Sequence, residues 1–182
     1  IPDLLISIDP SELNYKHFKD IDTSKVRLAF TSTIYSQIVA EYQGPKFSFG
    51  MNAFPFDKWI SDTIQEQKGI LASAATVAVT CFDLAIKLGG NPIVFIGQDL
   101  AYTDLRSHAE GNINYREVSK DLNGIFEVEG VNGKVYTNRS FLVMKTHLEN
   151  WINQLGQGRV IIDATAGGAI IAGTQIMTLS DV

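Results

Sequence analysis

Apolar residues fall along this chain in short runs separated by polar, turn-forming stretches. Runs of four or five bounded by turn signals read as strands, and apolar residues recurring every three to four positions read as helices. By that rule Leu4 to Ile8, Arg27 to Phe30, a short Phe47 to Phe49, Ile93 to Ile96 and Val160 to Ile162 are strands. Ser11 caps a short helix reaching about Asp20, Ile34 to Tyr42 is helical, and the residues from Phe49 through Trp59 read as irregular and aromatic. Leu71 to Leu88 has the clearest helical period, with Leu71, Ala74, Ala78, Cys81, Phe82, Ala85 and Leu88 on one face. Its two charges, Asp83 and Lys87, stand in the favourable i,i+4 order. Gly89-Gly90 ends that helix, and Ile93 to Ile96 follows as a strand buried on both faces. Ile125 to Thr137 reads as a hairpin turning at Asn132-Gly133. Ser140 to Leu155 is a helix buried through Phe141, Met144, Leu148, Trp151 and Leu155, and the tail from Ala164 to Val182 shows no clear period. Strands alternating with helices, the strands continuously apolar, predict an α/β fold with a mostly parallel sheet and the hairpin as an insertion.

Length and charge narrow this picture. A chain of 182 residues predicts one α/β domain, residues 1–182. A net charge of −5 with no basic run argues against a broad nucleic-acid surface, and no apolar run is long enough to span a bilayer. The single cysteine, Cys81, excludes an internal disulfide and a multi-Cys zinc site. Its place in an apolar helical run predicts buried packing, and one cysteine is compatible with a cytoplasmic location. The chain opens on Ile1 rather than Met, so it is expected to be a piece of a longer or processed protein.

Candidate chemistry concentrates in residues 91–108. The strand ending at Ile96 meets Gly97, and Gln98, Asp99, Tyr102, Thr103 and His108 follow within a dozen residues. In open α/β sheets ligands bind beyond the carboxyl ends of the strands, which favours a site here over a surface loop. Three strands end in an acid, at Asp9, Asp99 and Asp163. If they run parallel, the carboxylates share one rim, where two acids can bind a cation, hold ribose hydroxyls or divide acid and base roles. Asp99 reads as functional and Asp163 as a turn cap, while both readings stand for Asp9. His108 is the candidate general base or phosphate contact, because imidazole titrates near neutral pH. His17 and His147 fall inside predicted helices. Thr76 faces a ligand only if its helix begins there; inside a longer helix its hydroxyl bonds a carbonyl, the reading sequence favours. Gly167-Gly168 and Gly173 suit either close backbone approach to a ligand or a flexible loop. Phe54, Phe56 and Trp59 read as core or interface, and no Walker, Gly-x-Gly-x-x-Gly, His-Glu-x-x-His or Cys-pair motif is present.

Several of these segments together resemble a known family. Thr76-Val77-Ala78, Phe82-Asp83-Leu84-Ala85, Asn91-Pro92-Ile93, Gly97-Gln98-Asp99-Leu100-Ala101-Tyr102 and His108-Ala109 resemble the central domain of bacterial motility accessory factors. Ile1-Pro2-Asp3 with Ser7-Ile8-Asp9-Pro10, and Gly167-Gly168-Ala169 with Gly173-Thr174, resemble its two ends. The Gly-Gln-Asp-Leu-Ala-Tyr segment is the most specific part. The resemblance implies a Rossmann-like three-layer α/β/α fold, and an enzyme that transfers a nonulosonic, sialic-acid-like sugar from a CMP donor to Ser or Thr of flagellin. Asp99, Gln98 and Tyr102 would position nucleotide or sugar, with Asp9 near the ribose or acceptor and Thr76 as a further contact. His108 would act on the acceptor proton or leaving phosphate, and no metal cofactor is required. The same broad family includes 6-hydroxymethylpterin pyrophosphokinase-like proteins; under that alternative Asp9 and Asp99 hold Mg2+ for diphosphate transfer from ATP. A third reading is a non-catalytic module that binds flagellin or a chaperone through Phe54 to Trp59. Two departures stand out. A phosphate-cradling Gly-Pro-Ser loop expected ahead of the Pro-Asp segment is absent, which fits a domain lacking the N-terminal part of its nucleotide-binding fold. Ala74-Ala75-Thr76 stands where the family has Gly-Gly-Ser, and the added methyl groups narrow any backbone approach to a ligand.

Overall fold

The computed structural model describes residues 1–66, 68–73, 76–112 and 114–182. Its contacts fall into two compact units, residues 1–81 and 82–182. Both are α/β, and every strand pairing outside one hairpin is parallel. The expected α/β class with mostly parallel sheet and a hairpin insertion is therefore borne out. Among the described residues no helix is long and apolar enough to cross a membrane.

The first unit runs β1 (Leu4–Ser7), α1 (Glu12–Tyr15), β2 (Arg27–Phe30), α2 (Ser36–Glu41), β3 (Lys46–Ser48), β4 (Gly50–Met51), α3 (Pro55–Ile64) and β5 (Ile70–Leu71). Strands β1, β2 and β3 pair in that order. One extended segment then changes partner: Phe49 N–H donates to Phe30 O, and Gly50 N–H, one residue on, donates to Gly69 O. That handover carries the sheet on to β4 and β5. Leu28, Ile34, Ile38 and Tyr42 form the core beneath it, with Leu5, Phe18 and Phe30 packed against them. Apolar strand residues alternating with an apolar helical face give this packing its drive, about 25 cal/mol per Å2 of apolar surface buried.

Two expectations fail here. The aromatic stretch read as irregular contains α3, which opens with Pro55 in its first turn and closes at Gln65 in the left-handed region. Its polarity is inverted: Asp57 is its buried residue, while Trp59 is 60% exposed and stacks on the exposed Phe56, ring centroids 5.5 Å apart. A pattern rule looking for a buried apolar stripe misses such a helix. The helix expected from Leu71 is shorter. Ile70 and Leu71 pair with β4 as β5, and α4 starts at Val77 (Val77–Lys87). Ala74, placed on that helix by its spacing, and its neighbour Ala75 lie outside the described residues. Within α4, Val79, Thr80, Phe82 and Asp83 are buried. Cys81 is exposed rather than buried, and so is Leu88. The Lys87–Asp83 pair forms as expected, at 2.6 Å.

The second unit holds β6 (Ile93–Phe95), the hairpin β7 (Ile125–Gly130) and β8 (Gly133–Asn138), α5 (Arg139–Leu155), β9 (Ile161–Asp163) and β10 (Gln175–Ile176). Its parallel sheet has the order β10-β9-β6, so β9 is central and β10 belongs to the tail that showed no period. Strand β6 is shorter than expected, and Ile96 is 61% exposed because the chain has already left the sheet. Phe82 packs on Phe95 at 5.8 Å between centroids. Asn138 caps α5, its Oδ1 accepting from Phe141 N–H at 2.9 Å. Gly130 pairs with Gly133, so the hairpin turns at Val131-Asn132, one residue earlier than the Asn-Gly reading.

Candidate functional site

In the second unit, β6 and β9 run parallel with Phe95 opposite Asp163, so the residues after them leave the sheet at the same, carboxyl end. Residues 97–105 then follow an unusual path. Gly97 has φ +69, and three non-glycine residues, Leu100, Asp104 and Leu105, also have positive φ, at 49, 52 and 58. Each such residue costs on the order of 1 kcal/mol or more and persists only where its surroundings hold it. Here they do. Thr165 Oγ1 accepts Gln98 N–H at 3.1 Å. Ala169 N–H donates to Asp99 O at 2.8 Å, and Tyr102 N–H donates to Tyr136 O at 2.7 Å. The buried Thr137 hydroxyl donates to Leu100 O at 2.8 Å.

The glycine pair explains how the clamp closes. Gly168 has φ +86, and a Cβ there would stand 2.5 Å from the Asp99 α-carbon and closer still to its carbonyl oxygen. A Cβ on Gly167 would stand 2.7 Å from the Thr103 methyl. The hairpin tip braces the loop from its other side. Val131 N–H donates to Gly168 O and Ile170 N–H to Glu129 O, while Asn132 Nδ2 donates to Ala166 O at 2.8 Å. Gly168 serves close packing of backbone on the Asp99 backbone, and Gly167 close packing on the Thr103 side chain. On β8, Tyr136 stands opposite Glu127, whose negative charge, helped by burial and a hydrogen bond, raises the tyrosine pKa above its ordinary value.

Four polar groups along this seam lack partners among the described residues. Gln98 Oε1, Thr103 Oγ1 and Asp163 Oδ2 are buried and unpaired. The half-buried Asp99 carboxylate forms no hydrogen bond or ion pair. Asp163 is 0% exposed, and its Oδ1 accepts Thr165 N–H at 3.0 Å. The turn-capping role read for Asp163 is thus present, but it occupies one oxygen and leaves the other unpaired. Buried polar atoms in native folds nearly always find a partner, which makes this seam the strongest candidate for a site.

The other predicted residues differ in setting. Tyr102 is 6% exposed, accepts a hydrogen bond from Asn138 Nδ2 at its hydroxyl, and packs on Phe141 at 5.1 Å between centroids. Its hydroxyl is occupied by the fold. His108 is exposed on a loop whose neck is closed by the Arg106–Glu117 bridge, with Arg116 N–H donating to Ser107 Oγ at 2.9 Å. Among the described residues its imidazole has no partner. Asp9 and Thr76 belong to the first unit. Asp9 follows β1, and its Oδ1 accepts Ser11 N–H at 2.8 Å. Thr76 stands directly before α4, its Oγ1 accepting Ala78 N–H at 3.3 Å, so the helix does begin there. Asp9 comes after β1 and Thr76 after β5, the first and last strands of this unit.

Between them lies a polar rim that sequence reasoning passed over. Asp57, buried on α3, accepts Ser32 Oγ at 2.5 Å and Met51 N–H at 2.9 Å, tying together the ends of β2 and β4. Asn52 Oδ1 accepts Ser73 N–H at 3.0 Å. The available signal was position: Ser32, Asn52 and Ser73 each come within two residues of a strand's end. An Asp57→Ala protein should lose about 2–3 kcal/mol, since a buried N–H and a hydroxyl lose their acceptor. Thermal denaturation should show a drop of roughly 5–10 °C, and Asp57→Asn, which keeps one acceptor oxygen, should lose less. A cavity of about 440 Å3 in the same unit lies at the amino ends of the strands, walled by Tyr15, Lys19 and Glu41. There the Tyr15 hydroxyl donates to Glu41, which holds the tyrosine above and the carboxyl below their ordinary pKa values. It is remote from the strand-end chemistry. Among the described residues no group of three or more His, Cys, Asp and Glu is placed to hold a metal.

Comparison with known proteins agrees with this architecture. A solved structure of the Maf glycosyltransferase from Magnetospirillum magneticum AMB-1 superposes on the whole chain with a TM-score of 0.73 at 16% identity, and the chain spans 27% of that protein's length. At that identity the likeness shows a shared fold. No curated protein matches the sequence. Residues 1–105, more than half of the chain, match the family described as 6-hydroxymethylpterin diphosphokinase MptE-like, and the chain belongs to that family.

Proposed function

We propose that this chain is a glycosyltransferase-like domain whose parent protein moves a nonulosonic sugar from a CMP donor to a Ser or Thr hydroxyl, with flagellin as acceptor. The observation that carries this reading is the Gly97–Tyr102 segment. It is bent through positive φ, clamped from both sides, and leaves the Asp99 carboxylate and Gln98 Oε1 without partners at the carboxyl end of a parallel sheet. The shared fold with a Maf glycosyltransferase supports it.

The leaving group of a CMP sugar is already a phosphate, so orientation and electrostatic stabilisation are the main demands on the protein. Gln98 and Asp99 take nucleotide or sugar hydroxyls as hydrogen-bond acceptors. Tyr102 fixes the loop that carries them, and His108 removes the acceptor proton as general base. A thermal-shift screen of the protein with CMP, ATP and ATP–magnesium tests the assignment. CMP at a hundredfold excess over its Kd should raise the melting temperature by roughly 5–10 °C. No shift with CMP, against a clear shift with ATP–magnesium, would reverse it.

Family membership favours one second reading, diphosphate transfer from ATP. Magnesium takes hard oxygen donors and substrate phosphates. The half-buried Asp99 carboxylate offers such a donor. Bound Mg2+ would neutralise the phosphates.

A further inference from the structure

Asp163 and Thr165 form a short relay that ends on the candidate binding segment. Asp163, on the central strand β9, is fully buried, and its Oδ1 accepts Thr165 N–H at 3.0 Å. Thr165 is itself buried, and its Oγ1 accepts Gln98 N–H at 3.1 Å. Ala164, between the two, donates its N–H to Phe95 O at 2.9 Å, so β9 stays registered with β6 up to the point where the relay begins. The hydroxyl hydrogen bond spans 67 positions in sequence and anchors the Gln98 backbone just past the end of β6. Gly97 just before it is exposed and flexible in type, so without this anchor Gln98 has, among the described residues, no side-chain hydrogen bond on its backbone.

We infer that Asp163 and Thr165 are positioning residues for ligand binding, acting through the Gln98 backbone to hold Gln98 Oε1 and the Asp99 carboxylate in binding geometry. The group they present is a set of acceptor oxygens, so its complement is a hydrogen-bond donor on the ligand, a sugar hydroxyl or an amino group. The inference rests on the transferase reading for its choice of probe, CMP, but the relay itself does not.

The test compares wild type, Thr165→Val, Thr165→Ser and Asp163→Asn by Gln98 amide hydrogen exchange, calorimetric CMP titration and thermal melting. Thr165→Val keeps the shape and removes the acceptor. It should speed Gln98 exchange and weaken CMP binding about tenfold, the effect of losing one buried hydrogen bond, while α5 amides stay protected. Thr165→Ser restores the hydroxyl and should return both readouts to within about threefold of wild type. Asp163→Asn keeps an acceptor oxygen for Thr165 N–H and should behave like the serine variant. An unchanged Gln98 amide in Thr165→Val overturns the relay whatever the ligand. CMP affinity lost in Asp163→Asn with Gln98 still protected would mean that the carboxylate acts by its charge, and would also overturn it. A wild-type protein that binds no CMP, with the exchange pattern as expected, overturns the transferase reading and leaves the relay without its binding role.

Discussion

Replacing Gly168 by alanine should destabilise the protein by about 3 kcal/mol or more. Two costs add. Gly168 sits at φ +86, where an L side chain is strained by roughly 1–2 kcal/mol. The new Cβ would also stand 2.5 Å from the Asp99 α-carbon and 2.8 Å from its carbonyl carbon. Those atoms are backbone, and they cannot swing aside as a flexible side chain would. Relief requires moving Asp99, which is held by Ala169 N–H, or moving Gly168, which is held by Val131 N–H. Gly97→Ala is the matched control: its φ is +69, but nothing lies within 4 Å of the new atom. It should cost the strain alone, about 1–2 kcal/mol. Urea denaturation of the two variants separates the terms. Equal losses would mean that Gly168 is kept for its backbone angle and that the tight approach to Asp99 carries no energy.

The reach of sequence reasoning follows from which forces it can see. Strands β1, β2, β6 and β9 were legible because each is a short, mainly apolar run closed by a turn residue, and burial of such runs is a local signal. Ser11 and the hairpin were legible for the same reason, through cap and turn chemistry. Helix α3 was not, because its buried residue is an aspartate and its aromatics face outward. The start of α4 was not, because β5 is formed by pairing with a strand some twenty residues earlier, which residue type at positions 70–71 does not report. Within the candidate site, Gln98 and Asp99 stood out by type and position. Thr165 did not, since what gives it a role is contact with a backbone N–H 67 residues away. The reading of Asp163 as a turn cap was true of one carboxylate oxygen and silent about the other. The likeness to motility accessory factors rested on strings such as Gly-Gln-Asp-Leu-Ala-Tyr. The structure supplies a reason for such a string: six consecutive residues whose backbone is held at four points, through Gln98, Asp99, Leu100 and Tyr102.

Under the transferase reading, His108→Ala should lower sugar transfer by about 10²–10⁴-fold, the range by which a positioned acid or base accelerates proton transfer. The same change should leave folding alone. His108 is exposed, its imidazole has no partner among the described residues, and the neck of its loop is closed by Arg106, Ser107, Arg116 and Glu117 instead. Melting temperature should therefore stay within about 2 °C of wild type, the shift expected of a surface substitution worth under 0.5 kcal/mol. CMP affinity separates the two roles considered for this residue. A general base meets the acceptor hydroxyl, so its removal lowers the turnover rate and leaves CMP binding unchanged. A phosphate contact touches the donor, so its removal weakens CMP binding in step with transfer. Single-turnover rates measured at saturating donor, beside calorimetric CMP binding, distinguish them. Transfer at the wild-type rate in His108→Ala removes the imidazole from the reaction altogether and leaves Asp99 as the remaining candidate base on this rim.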